Sequence, residues 1–155
     1  KGYHRLYPGN MARLKYGYVI SCTGCEKDAD GNITAVLAEI VPDTKSGTPG
    51  ADSVKVKGVI TWVSAADGVA AEVRLYDRLF TEAHPDAGGR NFLDCLNPDS
   101  KRVISAWVEP GLANTPADSK FQFERHGYFV ADRKDSQAGK PVFNRTTTLR
   151  DTWQK

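Results

Sequence analysis

A chain of 155 residues, 40% hydrophobic and 26% charged, has the composition of an ordinary globular protein with one full domain or two small ones. The formal net charge of only +2 excludes nucleic-acid binding through overall charge, so any such binding must come from a local basic patch. No apolar run approaches the roughly 20 residues that a helix needs to cross a bilayer. We therefore expect no membrane partner.

The opening of the chain is purely basic. No Asp or Glu precedes Glu26, whereas Lys1, Arg5, Arg13 and Lys15 all do. This segment favours a negatively charged partner. The chain also begins without Met, and we expect it to be part of a longer protein.

Hydrophobic residues recur with a period close to two along nearly the whole chain, which predicts an all-β fold. The first predicted strand, 12–22, carries Arg13 and Lys15 on one face. Its opposite face holds the apolar residues Leu14, Tyr16, Tyr18 and Ile20. Next, the Asp-Gly pair at 30–31 is a strong hairpin signal ahead of a second strand at 33–40.

The segment 42–53 is rich in Pro, Gly and Ser, which indicates a loop or a boundary between two modules. A short helical turn is expected at 92–97. The period of two predicts further strands at 54–65, 70–76, 102–109, 120–125, 127–131 and 141–149. Many short strands at this spacing are typical of barrels or sandwiches, and the loop favours two of them.

Three cysteines make an odd count, which argues against a disulfide framework and favours a reducing cytoplasm. Cys22 and Cys25 have the spacing of a zinc knuckle, but no second pair follows. Four ligands would require Cys95 and a histidine such as His84. We expect no metal site.

Residues 121–129 alternate aromatic rings with an amide, a guanidinium and an imidazole, and then reach a glycine. In a strand, Phe121 and Phe123 can face a core while Gln122 faces outward. Gln and Arg carry planar hydrogen-bonding groups that can engage a base edge at two atoms. The alternative interpretation is a half-buried strand with ordinary polar residues on its solvent side.

The chain shows no signature of a catalytic centre. GxGxxG, P-loop and GxSxG motifs are absent, and the three histidines are scattered at His4, His84 and His126. A binding module is therefore favoured over an enzyme active site, and we name no catalytic residue.

Four strings occur in one consistent order: KVKGVITWVSA at 55–65, EVRLYDRLF at 72–80, FQFERHGYF at 121–129 and KPVFNRTTTLRDTW at 140–153. Together with RLYPGNMARLKYGYVI at 5–20, they resemble the C-terminal anticodon-binding region of bacterial-type glutaminyl-tRNA synthetase. The resemblance runs from end to end, which is more specific than any single short motif.

The resemblance implies two six-stranded antiparallel β-barrels, like those of the ribosomal proteins that bind 5S RNA. A proximal barrel would comprise 1–45 plus 140–155 and would be incomplete, because its opening strands precede this chain. A distal barrel would comprise 46–139. An incomplete barrel would expose an unpaired sheet edge.

The resemblance also implies a parent enzyme: a cytoplasmic, monomeric glutamine–tRNA ligase whose upstream catalytic domain uses ATP with Mg²⁺. This chain itself would hold no cofactor and no metal. Its partners would be the anticodon loop of tRNA(Gln) and that catalytic domain, with neither DNA nor a membrane among them.

Carried over by motif, Gln122 and Arg125 would read the middle anticodon base, a uridine. Arg5 would read the third base, a guanine, which suits a guanidinium. Arg13 and Lys15 would contact the first base or the nearby backbone. The family often has Arg in place of Lys15, and Lys cannot make a planar two-pronged contact. His4 likewise stands where a basic residue is common, and its charge depends on pH.

Strict alternation places residues 122 and 125 on opposite faces, so the two can converge only if the strand ends or bends near His126-Gly127. Three alternatives stay open. They are a barrel protein that binds 5S ribosomal RNA, the archaeal or eukaryotic type of glutamyl-tRNA synthetase, and a β-module for carbohydrate or protein ligands.

Overall fold

The structure, a computed structural model, describes residues 6–150 and confirms the all-β class. In this part of the chain the helices are three 3-10 turns, Ala87–Gly89, Phe92–Cys95 and Pro110–Leu112. None of them is long and apolar enough to span a membrane. The strands are β1 Met11–Leu14, β2 Val19–Lys27, β3 Ile33–Ile40, β4 Val59–Ile60, β5 Val69–Tyr76, β6 Lys101–Val108, β7 Lys120–Phe123, β8 Gly127–Ala131 and β9 Val142–Thr147.

The chain divides between Trp62 and Val63 into two units, each built on its own sheet. The sheet of the first unit has the order β3-β2-β1-β4, antiparallel except for the parallel pair β1–β4. Its β2–β3 hairpin confirms the turn predicted from Asp-Gly. The Asp28 carboxylate accepts hydrogen bonds from the backbone N–H groups of Asp30 and Asn32, and Gly31 adopts a φ of +83°.

The predicted single strand over 12–22 is wrong, because the chain reverses direction within it. Strand β1 ends at Leu14, whose N–H donates to the Tyr18 carbonyl, and the Gly17 N–H donates back to the Leu14 carbonyl. A Cβ at position 17 would lie 3.3 Å from the Leu14 Cβ, a tight contact that a small shift of the neighbour relieves. Tyr16 consequently leaves the apolar face and is 76% exposed.

The sheet of the second unit has the order β6-β5-β9-β8-β7 and covers the larger core. Phe143 is fully buried and is surrounded by other rings. The Phe121 ring lies 5.8 Å from it edge-on, and the Phe123 ring stacks on Phe129 at 4.5 Å between centroids. Both inward-facing positions predicted from the alternation in β7 are confirmed. The other buried members of this core are Ala71, Val73, Val108 and Ala131.

The two sheets are consistent with two barrel-like all-β modules, and they differ from six-stranded antiparallel barrels in strand number and direction. Across residues 6–150 they contain four and five strands, and each includes one parallel pair, whereas six antiparallel strands per barrel were expected. Strand β9 pairs with β5 and β8, although 140–155 was expected to rejoin the barrel begun by 1–45. Burial of Phe143 in the second core is the physical reason.

Of the two interpretations of the segment 42–53, the loop is confirmed, and the boundary between the units lies further on, between Trp62 and Val63. Thr44 is fully buried against the first sheet, where its hydroxyl accepts from the Val19 N–H at 2.9 Å and donates to the Val41 carbonyl at 2.7 Å. A loop that buries a satisfied hydroxyl in this way is part of the first unit.

Candidate nucleic-acid interface

The β7–β8 hairpin is closed by a tight turn that presents Arg125. The His126 N–H donates to the Phe123 carbonyl at 2.9 Å, so residues 123–126 form a four-residue turn. Arg125, at its third position, has a φ of +66° and is exposed, while Glu124 before it has no positive φ. This pattern is that of a type II turn, whose third position ordinarily takes Gly or Asn.

The strand therefore ends at Phe123, before Arg125. Strict alternation stops there, so the side chains of residues 122 and 125 need not point to opposite faces of a strand. Gly127 completes the reversal with a φ of +140°, and a Cβ there would lie 2.6 Å from the Thr147 carbonyl oxygen. A left-handed conformation costs a residue other than Gly about 1–2 kcal/mol. An arginine kept in that conformation on the surface points to a role for its guanidinium.

Gln122 is exposed on the face of β7 opposite the phenylalanine core, as the alternation predicted. Its direct cross-strand neighbour is Tyr128, which is 44% exposed. Thr147 of β9 lies opposite Tyr128 in turn. The sequence reasoning did not single out Tyr128, although the turn at 124–126 implies its pairing with Gln122.

Arg13, in the first unit, is half-buried and bound to backbone. Its Nη1 donates to the Thr44 carbonyl at 2.7 Å, and its Nη2 donates to the Ala51 carbonyl. In this conformation the guanidinium ties the loop 42–53 to strand β1. The expected contact with the first anticodon base is not tested by this geometry, in which two of the guanidinium nitrogens donate to backbone carbonyls.

Lys15 lies in the turn that joins β1 to β2, two residues after Arg13. Its Nζ is 5.1 Å from the centroid of the Tyr16 ring, within cation–π distance. Its carbonyl accepts a hydrogen bond from the Trp62 indole N–H at 3.0 Å. Arg5, expected to read the third anticodon base, lies outside the described residues, as does His4.

The outer face of the second sheet carries a charged network that holds structure together. Arg74 binds Glu72 at 2.6 Å, Asp135 at 2.7 Å and Asp132 at 3.4 Å. The Asn144 amide donates to Asp132 at 2.7 Å, and this bond is the main cause that lowers the pKa of Asp132 to about 2. The pKa of Arg74 is raised by its carboxylate partners. Because these carboxylates already neutralise its charge, Arg74 is a poor candidate for binding phosphate.

No cluster of three or more His, Cys, Asp or Glu side chains that could hold a metal is found in residues 6–150. Cys22 is buried and Cys25 is exposed, with an irregularity in strand pairing between Cys22 and Gly24. Cys95 is buried in the second unit. The cysteine spacing therefore does not converge on a four-ligand site in the described part of the chain.

Comparison with known proteins matches most of the chain to a single functional class. Residues 1–41 and 59–132 match two family models, each described as tRNA synthetases class I (E and Q), anti-codon binding domain. The whole chain is 72% identical to a glutamine–tRNA ligase of Ralstonia nicotianae and 71% identical to one of Cupriavidus necator, of which it covers 27% and 26%. Over 99% of its length it is 62% identical to the glutamine–tRNA ligase of Bordetella pertussis, covering 26% of that protein.

The chain thus spans about a quarter of the length of the curated relatives it matches. The matched segments include both hairpin turns described above, those that present Tyr16 and Arg125. The chain belongs to the family of anticodon-binding domains of the class I tRNA synthetases for glutamate and glutamine.

Proposed function

We propose that this chain is the anticodon-reading portion of a glutamine–tRNA ligase and that its middle-base reader is the pair Gln122 and Arg125. The observation that carries the proposal is the exposed, left-handed Arg125 in a turn directly after the outward-facing Gln122. Identity of 72% to a glutamine–tRNA ligase over the full chain supports the choice of amino acid.

The chemistry of the two side chains suits a splayed uridine. Single-stranded RNA bases are recognised by hydrogen bonds to their Watson–Crick edges once they leave the stack. A Gln amide offers one donor and one acceptor, which complement the O4 and N3–H of uridine. Arg can only donate, so a guanidinium directed at the 4-position donates a hydrogen bond to uridine O4 and finds no acceptor in the amino group of cytidine. Arg125 therefore supplies discrimination that Gln122, which can flip its amide, does not.

The basic residues of the first unit are assigned to the rest of the loop. Arg5 reads the third base, a guanine, and Lys15 contacts the first base or the phosphate beside it. Arg13 acts mainly as the support of this surface, because its guanidinium is bound to the Thr44 and Ala51 carbonyls. A direct contact of Arg13 with RNA would use the guanidinium N–H groups that these two bonds leave over.

For the parent protein we propose ligation of glutamine to tRNA(Gln) in the cytoplasm, where translation takes place. The reaction uses ATP with Mg²⁺ in a catalytic domain upstream of this chain. That domain and the tRNA are the partners of the anticodon-binding portion, which performs no chemistry itself.

The test is binding of the 155-residue chain to RNA hairpins that carry a glutamine anticodon arm with each anticodon base changed in turn. A uridine-to-cytidine change in the middle base is expected to weaken binding, and Arg125→Ala should remove about 1–3 kcal/mol of that selectivity. A hairpin with a glutamate anticodon, which has cytosine instead of guanine at the third base, tests the choice between the two enzymes of the family. Equal affinity for all hairpins would contradict the proposal.

A further inference from the structure

The turn that joins β1 to β2 presents an aromatic ring to solvent. Residues 14–17 form a four-residue turn closed by the hydrogen bond from the Gly17 N–H to the Leu14 carbonyl at 2.8 Å. Tyr16, at its third position, has a φ of +60°. It is 76% exposed, more than any other large hydrophobic side chain in the described part of the chain.

The strained turn is held rigidly from several sides. The Gly17 carbonyl accepts from the Ser46 N–H at 3.0 Å and from its hydroxyl at 3.1 Å. The Trp62 indole N–H fixes the Lys15 carbonyl, and Arg13 ties the supporting loop to β1. These bonds fix the backbone on both sides of Tyr16, so the ring is displayed on a support that does not relax the left-handed conformation.

The surroundings of the Tyr16 ring favour a nucleobase as the ligand that stacks on it. The Lys15 ammonium lies 5.1 Å from the ring centroid on one side, and the high exposure of Tyr16 leaves ring surface free for a ligand. An ammonium beside a flat ring matches a nucleotide, in which a flat base is joined to a phosphate.

We propose that Tyr16 is a stacking platform for an unpaired base of the RNA loop, with Lys15 contacting the phosphate of the same nucleotide or the next one. The inference rests on the proposed RNA-binding function and adds a residue that contributes affinity without base selectivity, since every base has a face on which to stack. The base lies on the ring, and the strained turn keeps the ring in place before RNA arrives.

The experiment is a double-mutant cycle on the full 155-residue chain. Tyr16→Ala and Tyr16→Asn are measured against hairpins in which each loop nucleotide in turn is made abasic. Asn adopts the left-handed conformation readily, so Tyr16→Asn removes the ring and preserves the turn. Both variants should weaken binding roughly 5- to 100-fold, and Tyr16→Phe should bind within about twofold of wild type because it keeps the stacking face.

One abasic position should cancel the effect of Tyr16→Asn, which identifies the stacked base. The salt dependence separates the two side chains: Tyr16→Asn should leave the slope of log affinity against log salt unchanged, and Lys15→Gln should reduce it by about one. A fluorescent 2-aminopurine at the identified position should be quenched by wild type and not by Tyr16→Asn.

Affinity of Tyr16→Asn equal to wild type, or an equal loss at every abasic position, overturns the stacking proposal. This failure is distinct from failure of the proposed function. If wild type binds all anticodons equally and the cycle still identifies one base, the anticodon-reading proposal fails and the stacking platform stands. If wild type binds none of the hairpins, both are overturned.

Discussion

The two units of this chain can be compared at one tight turn in each, because the two turns share a backbone conformation and present different side chains. Each contains a hairpin closed by a four-residue turn, 14–17 in the first unit and 123–126 in the second, and each turn has a large side chain in a left-handed conformation at its third position. The first turn presents the ring of Tyr16 and the second presents the guanidinium of Arg125. A ring offers a surface for any base, whereas a guanidinium offers directed donors, so in the proposed function the first turn would contribute affinity and the second selectivity.

The turns also differ in what holds them. The turn at 14–17 is fixed by side chains from distant residues, including Ser46 and Trp62. The turn at 123–126 is followed by Gly127, whose missing side chain lets the backbone approach Thr147. The first turn is therefore expected to tolerate changes in its glycine, and the second is not.

The largest expected effect is the loss of stability in Gly127→Ala. The new Cβ would lie 2.6 Å from the Thr147 carbonyl oxygen, and a φ of +140° is strained for alanine. We expect a loss of about 3 kcal/mol or more in the free energy of unfolding, measured with urea. Gly17→Ala is the matched change in the first turn, where the nearest contact is 3.3 Å, and it should cost about 1 kcal/mol or less. Similar losses in both variants would show that the two turns do not differ in this way.

Arg13→Ala is expected to destabilise the first unit by about 1–3 kcal/mol, because the Thr44 and Ala51 carbonyls lose charged donors in a partly buried setting. The control is Arg133→Ala, which removes an exposed arginine that is paired with Asp118 on the surface, and no measurable change is expected there. Thermal unfolding of the two variants compares them directly. An unchanged melting temperature in Arg13→Ala would leave Arg13 available as a base reader.

Arg125→Gly should separate two properties of the second turn: the backbone strain at position 125 and the proposed reading of the middle base by the guanidinium. Glycine relieves the left-handed conformation, so the free energy of unfolding should rise by up to about 1 kcal/mol. The same variant loses the guanidinium, and selectivity for a middle uridine over cytidine should fall as in Arg125→Ala. Opposite changes in stability and selectivity, measured by thermal unfolding and hairpin binding, are the expected signature. A loss of stability would mean that the arginine side chain supports the turn more than the strain costs it.

Local pattern was sufficient to predict part of the second unit. Alternation in 120–123 placed Phe121 and Phe123 in the core and Gln122 outside, because the period of a strand depends only on the strand itself. The need for a break near Gly127 was also evident, since residues 122 and 125 otherwise face opposite ways. The left-handed Arg125 was not, because arginine carries no sequence signal for that conformation.

Long-range contacts account for the features that the sequence reasoning missed. Tyr16 continued an apolar alternation and was assigned to a strand, yet Gly17 turns the chain and the supporting bonds come from Ser46 and Trp62. The composition of 42–53 predicted a loop or a boundary, but it could not show that the buried Thr44 joins this loop to the first sheet. The parallel pairing of β9 with β5 joins strands far apart in sequence, and no local pattern encodes it.

The last comparison is between the two half-buried arginine sites in acid. Arg13 is bound by neutral backbone carbonyls, which do not titrate, whereas Arg74 is bound by carboxylates. The folded-state pKa of Asp132 is lowered from 3.8 to about 2, so its contribution to stability is present above pH 3.8 and is lost as the pH falls through about 2. Melting temperature should therefore fall over this range, and the fall should be shallower in Asp132→Asn.

Asn144→Ala tests whether Asp132 causes this acid dependence, because the Asn144 amide is the main cause of the lowered pKa of Asp132. Its removal should move the Asp132 pKa back towards the ordinary value and flatten the acid dependence in the same direction as Asp132→Asn. Arg13→Ala serves as the control, since it should lower stability by the same amount at every pH in this range. A change in the acid dependence of Arg13→Ala would mean that carboxylates also govern the first unit, and the contrast between the two arginines would then be lost.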